Sequence, residues 1–387
     1  MRIKPKIKNE IKMDRIMILG SYYNVDSIKK CFLKIKPKYE IKSSFDYKIE
    51  QLTSGKNLIL ENVFEKSSIQ KVLNKDKLNK IKENSQNIYC LVTSVPELVQ
   101  DIWQLFNYLK ENNIDRVIFE QIDYIFHFNG NYQLYPTILK LVEDKENIKY
   151  DNERIILVVE DKPLYYSSFL QTIYKINEDR TRIFLARNYE EAKYALDHYS
   201  ERLAGTIIDL AFPKDNTINY DIAWELKAYI DKKNLKIPII FQSADEQKIK
   251  RIQQSGEVFA LYKEDPLLTN KLAEIIDRFF GFGLFEVRLP YGDKRTVAKI
   301  RNLTQLKVFI ETLSPDILIE HARYNDFSNW LWIQGYKKLA AKLKPIDPVQ
   351  IMEEIKKEKP GLSDEDVYKI SAEKMRNEIL QIIKSHK

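Results

Sequence analysis

Several residue types and segments that mark whole classes of protein are scarce or missing in this sequence of 387 residues. Only two cysteines are present, Cys31 and Cys90, so a disulfide framework is excluded and we expect a reducing, cytoplasmic location. The four histidines are scattered, and no cysteine–histidine spacing indicates a zinc site. No apolar run approaches the roughly 20 residues that span a membrane, and the lysine-rich start has no apolar signal-peptide segment. We therefore expect no membrane partner.

Positive charge is concentrated at the start of the chain. Residues 1–40 hold eleven Lys and Arg against four Asp and Glu, which accounts for the whole net charge of +7. A basic tail over residues 1–13 can contact nucleic acid or anionic lipid. Because no nucleic-acid-binding motif accompanies it, we expect a solvated leader instead. Nucleic-acid binding stays a third hypothesis, which predicts steeply salt-dependent binding that is lost when residues 1–13 are deleted.

The segment that organises the rest of the chain lies between residues 154 and 280. Here short apolar runs alternate with helix-like segments, and this alternation predicts a parallel sheet covered by helices on both faces. We expect an α/β domain over residues 152–281 with five strands and five helices. The apolar runs with the clearest ends are Ile155–Val159, Thr206–Ile208, Ile237–Phe241 and Val258–Tyr262.

Charged or hydroxyl side chains follow these apolar runs at the point where each predicted strand ends. In open parallel sheets, chemistry collects beyond the carboxyl ends of the strands. Clustered carboxylates repel one another and raise one another's pKa, so a cation is expected among them. The sequence therefore predicts a magnesium-dependent phosphoryl site. Its side chains are Glu160, Asp161, Asp209, Ser243 and Lys263.

Each of these side chains has an expected role in phosphoryl transfer. Asp209 is the candidate phosphoryl acceptor, because a carboxylate in line with phosphorus can act as the nucleophile once the developing charge is neutralised. Lys263 is expected to pair with one phosphoryl oxygen, and Ser243 to donate a hydrogen bond to another. Mg²⁺ prefers oxygen ligands. The candidate ligands are the carboxylates of Glu160, Asp161 and Asp209 and the backbone carbonyl of Ala211.

The order and spacing of these residues resemble the receiver domain of two-component response regulators. The loop Asp209–Pro213, an aspartate followed four residues later by proline, is similar to the acceptor loop of that family. The resemblance implies a flavodoxin-like doubly wound domain with strand order 2-1-3-4-5. It also implies Mg²⁺-dependent phosphorylation of Asp209 by a histidine kinase or a phosphotransfer protein.

Two positions depart from the receiver pattern. Glu264 and Asp265 stand between Lys263 and the proline that usually follows the lysine directly. Ala260 occupies the position of the aromatic residue that usually works with the switch hydroxyl, and Phe259 flanks it. We therefore expect intact acceptor chemistry but not the usual hydroxyl–aromatic switch.

A wider resemblance covers roughly residues 14–345. It is to the regulatory N-terminal segments of a subset of pyruvate-phosphate-dikinase-like and phosphoenolpyruvate-synthase-like proteins. In those segments a degenerate receiver precedes an intact one, and a small domain follows. Neither a nucleotide-binding domain, a phosphohistidine domain nor a pyruvate barrel is recognisable, so kinase or synthase activity is not expected. The matching segments are Ile156–Leu170, Gly205–Pro213, Phe241–Asp245, Gly281–Pro290 and His321–Leu331.

The regions on either side of the central domain are expected to lack its chemistry. Residues 14–148 also alternate strands and helices, with a predicted strand at Val117–Phe119, but no strand ends in the acid pattern. We expect a degenerate receiver-like domain there, joined to the next by a charged linker at Asp144–Asn152. Residues 282–387 are predicted to form a small α+β domain with a β-hairpin and several helices.

The preferred function is therefore a phosphoacceptor signalling protein in which phosphorylation of Asp209 changes protein–protein contacts. It would not be an enzyme beyond its own phosphorylation and dephosphorylation. The expected partners are a kinase or phosphotransfer protein and an output protein, and a homodimer is also considered. The alternative is a non-phosphorylated scaffold or regulatory subunit of a separately encoded phosphoenolpyruvate-utilising enzyme.

Overall fold

Two five-stranded parallel sheets, followed by a hairpin and a group of helices, form the described part of this computed structural model. The expected α/β class with parallel sheets is confirmed. The structure describes residues 12–20, 25–35, 40–43, 54–72, 74–112, 114, 116–177, 179–215, 217–219, 221–255, 259–290 and 295–385. Most of the expected basic tail and the turn of the expected hairpin lie outside these residues.

The first sheet has the order β2-β1-β3-β4-β5, and the paired strands run parallel. Its central strands are apolar on both faces because helices cover both sides. The elements of this first unit are β1 (Arg15–Gly20), α1 (Val25–Ile35), β2 (Glu40–Ser43), β3 (Asn57–Val63), α2 (Ile69–Val72), α3 (Lys75–Glu83), β4 (Ile88–Thr93), α4 (Ile102–Glu111), α5 (Arg116–Phe119), β5 (Tyr124–His127) and α6 (Leu134–Asn147).

The second sheet has the order β7-β6-β8-β11-β12, again parallel, and a two-stranded antiparallel ribbon, β9 with β10, follows its central strand. The sequence did not predict this ribbon. The elements of this second unit are β6 (Ile155–Val159), α7 (Pro163–Asn177), β7 (Arg182–Ala186), α8 (Tyr189–His198), β8 (Leu203–Asp209), β9 (Phe212–Lys214), β10 (Thr217–Asn219), α9 (Ile222–Lys232), β11 (Ile239–Ser243), α10 (Glu246–Ser255), β12 (Phe259–Tyr262) and α11 (Leu268–Phe279).

The described residues of the third unit form an antiparallel hairpin and six helices. Its apolar side chains form a separate core around Trp330, which is fully buried. The elements are β13 (Phe285–Arg288), β14 (Thr296–Ile300), α12 (Leu303–Thr312), α13 (Pro315–Arg323), α14 (Asp326–Ile333), α15 (Lys337–Leu343), α16 (Pro348–Glu358) and α17 (Asp364–Lys384).

One hydrophobic core joins the first two units. It contains side chains from one face of each sheet and from the helices between them, including α6 and α7. Helix α6 contacts β7 of the second sheet, and α7 contacts β5 of the first. Because α7 is covered on almost every side, only Ser168 and Lys175 are exposed among its described side chains. The start of α7 is therefore held in place by the first unit.

Two local predictions for the first unit were wrong. Val117–Phe119 belongs to the short helix α5, and the last strand of the sheet is β5. The charged segment expected to be a linker begins inside α6, where Asp144 is buried and its Oδ1 accepts from Arg182 Nη1 at 3.0 Å. Burial of this carboxylate depends on a guanidinium from a later strand, which a local charge pattern does not reveal.

No helix in the described ranges combines the length and the hydrophobicity that crossing a bilayer requires.

Candidate functional site

The fold brings the ends of four strands to one edge of the second sheet. Parallel pairing places Val159 beside Ile208, Asp209 beside Gln242, and Ser243 beside Tyr262. The residues that follow β6 and β12 continue beyond this edge. The sequence-predicted acids and lysine therefore converge although they come from separate strands.

Lys263 lies at the centre of the acidic group. Its Nζ is 2.6 Å from Glu160 Oε2 and 2.8 Å from Asp209 Oδ2. The side chains of all three residues are at most 4% exposed, so these contacts form away from bulk water. In such surroundings each charge is stabilised mainly by its partners, because solvation by water is lost.

Glu160 has two further hydrogen-bond donors. The backbone N–H of Lys162 donates to its Oε1 at 3.3 Å, and Nε2 of the buried Gln242 donates to its Oε2 at 3.2 Å. Sequence reasoning did not single out Gln242. The sequence feature that could have identified Gln242 is its position at the end of a buried strand, where it pairs with Asp209. These contacts fix Glu160 against the strand ends.

Asp161 has a different environment from Glu160. Both of its carboxylate oxygens are buried and have no hydrogen-bond partner. One ligand oxygen each from Glu160, Asp161 and Asp209 can be chosen so that all three lie within 4.8 Å of one another. A buried carboxylate without a donor is unfavourable unless a cation or a proton compensates it.

The pKa values of two acids reflect this crowding. Burial, opposed by Lys263 and reinforced by the neighbouring carboxylates of Asp209 and Asp161, raises the pKa of Glu160 to about 8. Burial and the charge of Asp209 raise the pKa of Asp161 to about 7. The pKa of Lys263 is also raised, since the two carboxylates outweigh the opposing effect of burial. A cation that bound here would displace protons at neutral pH.

The residues present fit a divalent cation. With all groups ionised, three carboxylates and one ammonium leave two negative charges, and Asp161 has two oxygens without partners. Mg²⁺ binds oxygen ligands and commonly uses only a few carboxylates, together with water. Glu160, Asp161 and Asp209 are the side chains that would hold it.

The other predicted site residues lie at the same edge. Ser243 is buried, and its Oγ accepts a hydrogen bond from the backbone N–H of Asp245 at 3.0 Å. Its backbone carbonyl accepts from Lys263 N at 2.8 Å, which ties the two strand ends together. Ala211 stands two residues after Asp209, directly before the β9–β10 ribbon. Ala260 is buried, and its neighbour Phe259 packs against Phe279.

An aromatic ring covers Lys263 from the start of α7. The ammonium lies 4.3 Å from the ring centre of Tyr165, which is a cation–π distance. The hydroxyl of Tyr165 lies 3.5 Å from Glu264 Oε1, at the limit of a hydrogen bond. No local sequence pattern predicts this contact, because it depends on how α7 begins.

The first sheet offers an internal comparison at its corresponding edge. When the strands are matched by their order in each sheet, β1, β3, β4 and β5 correspond to β6, β8, β11 and β12. The residues at the ends of these strands can then be compared in register. Asn62 is held by neighbours: its Nδ2 donates to Leu19 O at 2.9 Å, and Tyr135 Oη donates to its Oδ1 at 2.6 Å. None of the four corresponding positions in the first unit carries an acid or a lysine. The correspondence is Gly20 for Glu160, Asn62 for Asp209, Thr93 for Ser243 and Phe128 for Lys263.

A cleft of about 330 Å³ lies between the two units beside Asp161. Helices α4 and α5 and strand β5 of the first unit form one wall. Pro163, Arg187 and Pro213 of the second unit contribute to the other. The first unit thus lines the space next to the acidic group.

A second polar network, in the third unit, is structural. Asp326 Oδ2 lies 2.6 Å from His321 Nδ1 and 2.5 Å from Arg288 Nη2, while the backbone N–H of Arg288 donates to His321 Nε2 at 3.1 Å. Both ring nitrogens of this buried histidine are therefore engaged within the unit.

Comparisons with known proteins add little to this geometry. No protein-family model matches the chain, and no curated protein matches it. Among solved structures, a candidate sugar binding protein from Salmonella typhimurium LT2 overlaps with 10% identity and a TM-score of 0.22, over 68% of this chain and 84% of that one. A candidate phosphosugar isomerase from Bacillus subtilis overlaps with 10% identity and a TM-score of 0.21, over 75% and 93%. Overlaps at this level carry no argument about fold or activity.

Proposed function

We propose that the chain is a phosphoacceptor signalling protein, related to response regulator receivers, in which Asp209 accepts a phosphoryl group. One observation carries the proposal: three carboxylates and one lysine from three strand ends lie together at one sheet edge, with two oxygens of Asp161 left without partners. A site of this composition suits the binding of a divalent cation next to a nucleophilic carboxylate. The strand order of the second sheet, 2-1-3-4-5 in chain order, supports the receiver-like interpretation.

The chemistry assigned to these residues is an in-line displacement. An oxygen of Asp209 attacks phosphorus, the bond from phosphorus to the leaving group breaks, and the leaving group departs with the electron pair. Lys263 then exchanges its contact with Asp209 Oδ2 for a phosphoryl oxygen and keeps Glu160 as its second partner. Ser243 lies on the strand next to Asp209 and can turn its hydroxyl toward the new group. Mg²⁺, when bound, would neutralise charge on the phosphoryl oxygens.

Phosphorylation would change the contacts at this edge and so switch a partner-binding surface. The new group adds negative charge where Lys263 now holds two carboxylates together, and this would shift the segments that follow β8 and β11. The first unit, whose corresponding edge has Asn62 and Phe128 instead, would serve in docking. A histidine kinase or phosphotransfer protein would be the phosphoryl source.

Beryllofluoride, which mimics an aspartyl phosphate, tests this proposal. The native chain is incubated with beryllofluoride and Mg²⁺, and bound fluoride is detected by fluorine NMR. We expect a bound signal that requires Mg²⁺ and that is absent in Asp209→Asn. Serving as a matched control, Asp231→Asn changes an exposed acid on α9 and should behave as native. Equal spectra for the native chain and Asp209→Asn would refute the proposal.

A scaffold without phosphorylation is the second candidate, and one observation favours it. Lys263 already pairs with both Glu160 and Asp209, so two of the three acids have a compensating charge without any ion. The scaffold would bind a separately encoded phosphoenolpyruvate-utilising enzyme. Co-purification of such an enzyme, unchanged by Asp209→Ala and accompanied by no beryllofluoride signal, would favour this candidate.

A further inference from the structure

The ammonium of Lys263 is closed off from solvent. Its two ionic partners are buried carboxylates, and its own side chain is 1% exposed. Tyr165, by contrast, is only half-buried, and its ring lies 4.3 Å from Nζ. The ring therefore separates the ammonium from water.

The first unit determines where this ring lies. The backbone N–H of Leu164 donates to Val99 O at 3.2 Å, and the hydroxyl of Tyr166 donates to Ile125 O. Both neighbours of Tyr165 are thus tied to the first unit. On its other side, the ring of Tyr165 stacks on Phe169 with a centroid distance of 6.3 Å.

We propose that Tyr165 is a gating residue, whose ring must move away from Lys263 before the ammonium can exchange its contact with Asp209 Oδ2 for a phosphoryl oxygen. This inference rests on the proposed phosphorylation of Asp209. The ring stabilises the ammonium in the unphosphorylated arrangement, because its negative face lies against the charge. A phosphoryl oxygen competes for the same ammonium. The first unit, by holding the start of α7, sets how readily the gate opens.

The test compares Tyr165→Leu, which keeps much of the volume but has no aromatic face, with Tyr165→Phe, which keeps the ring. Acetyl phosphate is supplied with Mg²⁺, and the phosphorylated fraction is followed by intact-protein mass spectrometry. We expect Tyr165→Leu to be phosphorylated about tenfold faster than the native chain, which equals about 1.4 kcal/mol in the barrier. Tyr165→Phe should stay within about twofold of native, since only the long hydrogen bond to Glu264 is lost.

Tyr262→Leu is the matched control, because the Tyr262 hydroxyl lies 3.2 Å from the same Glu264 carboxylate. It should react at the native rate. A native rate for Tyr165→Leu, or a Tyr165→Phe rate as fast as that of Tyr165→Leu, would overturn the gate. Thermal unfolding of each variant identifies any that has lost its fold.

A second readout does not depend on phosphorylation. Exchange of the Lys263 ammonium protons with water is measured by NMR after nitrogen labelling of lysine. We expect slow exchange in the native chain and in Tyr165→Phe, and fast exchange in Tyr165→Leu. Slow exchange in all three would refute the gate even if Asp209 is phosphorylated. Fast exchange in Tyr165→Leu alone, with no phosphorylation of any variant, would support the shielding role and refute the proposed function.

Discussion

Lys263 Nζ lies 2.6 Å from Glu160 Oε2, although β12 and β6, which precede these residues, are separated in the sheet by β11 and β8. One ammonium thus bridges the sheet edge above Asp209. The bridge neutralises one charge of the acidic group and leaves Asp161 without a donor.

Asp161→Asn is expected to abolish the response of thermal stability to Mg²⁺. Saturating Mg²⁺ should raise the melting temperature of the native chain by roughly 5 °C, since a ligand that binds only the folded state stabilises it. The metal-free variant should melt above the metal-free native chain, because a buried carboxylate without a partner has been removed. Differential scanning calorimetry with and without Mg²⁺ measures both effects.

The control for Asp161→Asn is Asp231→Asn, which alters an exposed carboxylate that lies 2.7 Å from Lys227 on α9. This variant should keep the native response to Mg²⁺. A full Mg²⁺ response in Asp161→Asn would mean that the ion binds elsewhere.

The free energy of unfolding without metal is expected to fall between about pH 5 and pH 8. Glu160 has a folded-state pKa of about 8 against 4.5 when unperturbed, and Asp161 has about 7 against 3.8. In this window the folded chain holds protons that the unfolded chain has released, so a rise in pH favours unfolding. Mg²⁺ should weaken this decline and bind more tightly as the pH rises, since it displaces those protons.

Urea unfolding at a series of pH values measures the decline, and calorimetric titration measures the affinity for Mg²⁺. Asp161→Asn should flatten part of the pH dependence. A free energy of unfolding that rises with pH through this window would contradict the raised pKa values of Glu160 and Asp161 in the folded chain.

Asn62→Asp is expected to destabilise the first unit without creating a cation site. The amide of Asn62 donates to Leu19 O at 2.9 Å, and a carboxylate cannot make this bond. Loss of a buried hydrogen bond of this kind costs about 1–3 kcal/mol. Gly20 and Phe128 stand where the second unit has Glu160 and Lys263, so neither of these two positions supplies a further ligand. Urea unfolding and the Mg²⁺ response measure these effects, and a new Mg²⁺-dependent stabilisation would contradict the correspondence between the two edges.

Arg182→Met is expected to destabilise the contact between α6 and β7. The buried Arg182 donates to Asp144 Oδ1 at 3.0 Å and to Asp151 Oδ2 at 2.8 Å. Burial raises the pKa of Asp144 to about 6 although Arg182 opposes the rise, so removal of Arg182 leaves a buried acid without its charge partner. Loss of about 3–5 kcal/mol is expected, measured by urea unfolding. Lys369→Met, which breaks an exposed ion pair on α17, should unfold near the native midpoint.

The acidic group could be predicted from sequence because its members directly follow short apolar runs. Parallel strands present their carboxyl ends at one edge, so Glu160 and Asp209 had to lie near each other once β6 and β8 were recognised. Lys263 directly follows β12, whose carboxyl end lies at the same edge, so the same rule places it near these acids. Here the local sequence pattern and the sheet topology both predict that the acids and the lysine lie at one edge of the sheet.

The contacts made by helices could not be predicted in the same way. Tyr165 reaches Lys263 only because the start of α7 is tied to the first unit, through contacts that no local pattern encodes. The strand predicted at Val117–Phe119 was wrong for a related reason. Three apolar residues suit a short helix as well as a strand, and the chain forms helix α5 there. Asp144 was mistaken for part of a linker because its partner, Arg182, lies far along the chain.

The most direct measurement is the location of the phosphoryl group after treatment with acetyl phosphate. Borohydride reduction converts a phosphorylated aspartate to homoserine, which peptide mass spectrometry can place in the sequence. We predict homoserine at Asp209 in the native chain with Mg²⁺, and none without the ion or in Asp161→Asn. Homoserine at other acids only, or an unmodified Asp209 in the presence of Mg²⁺, would contradict the account.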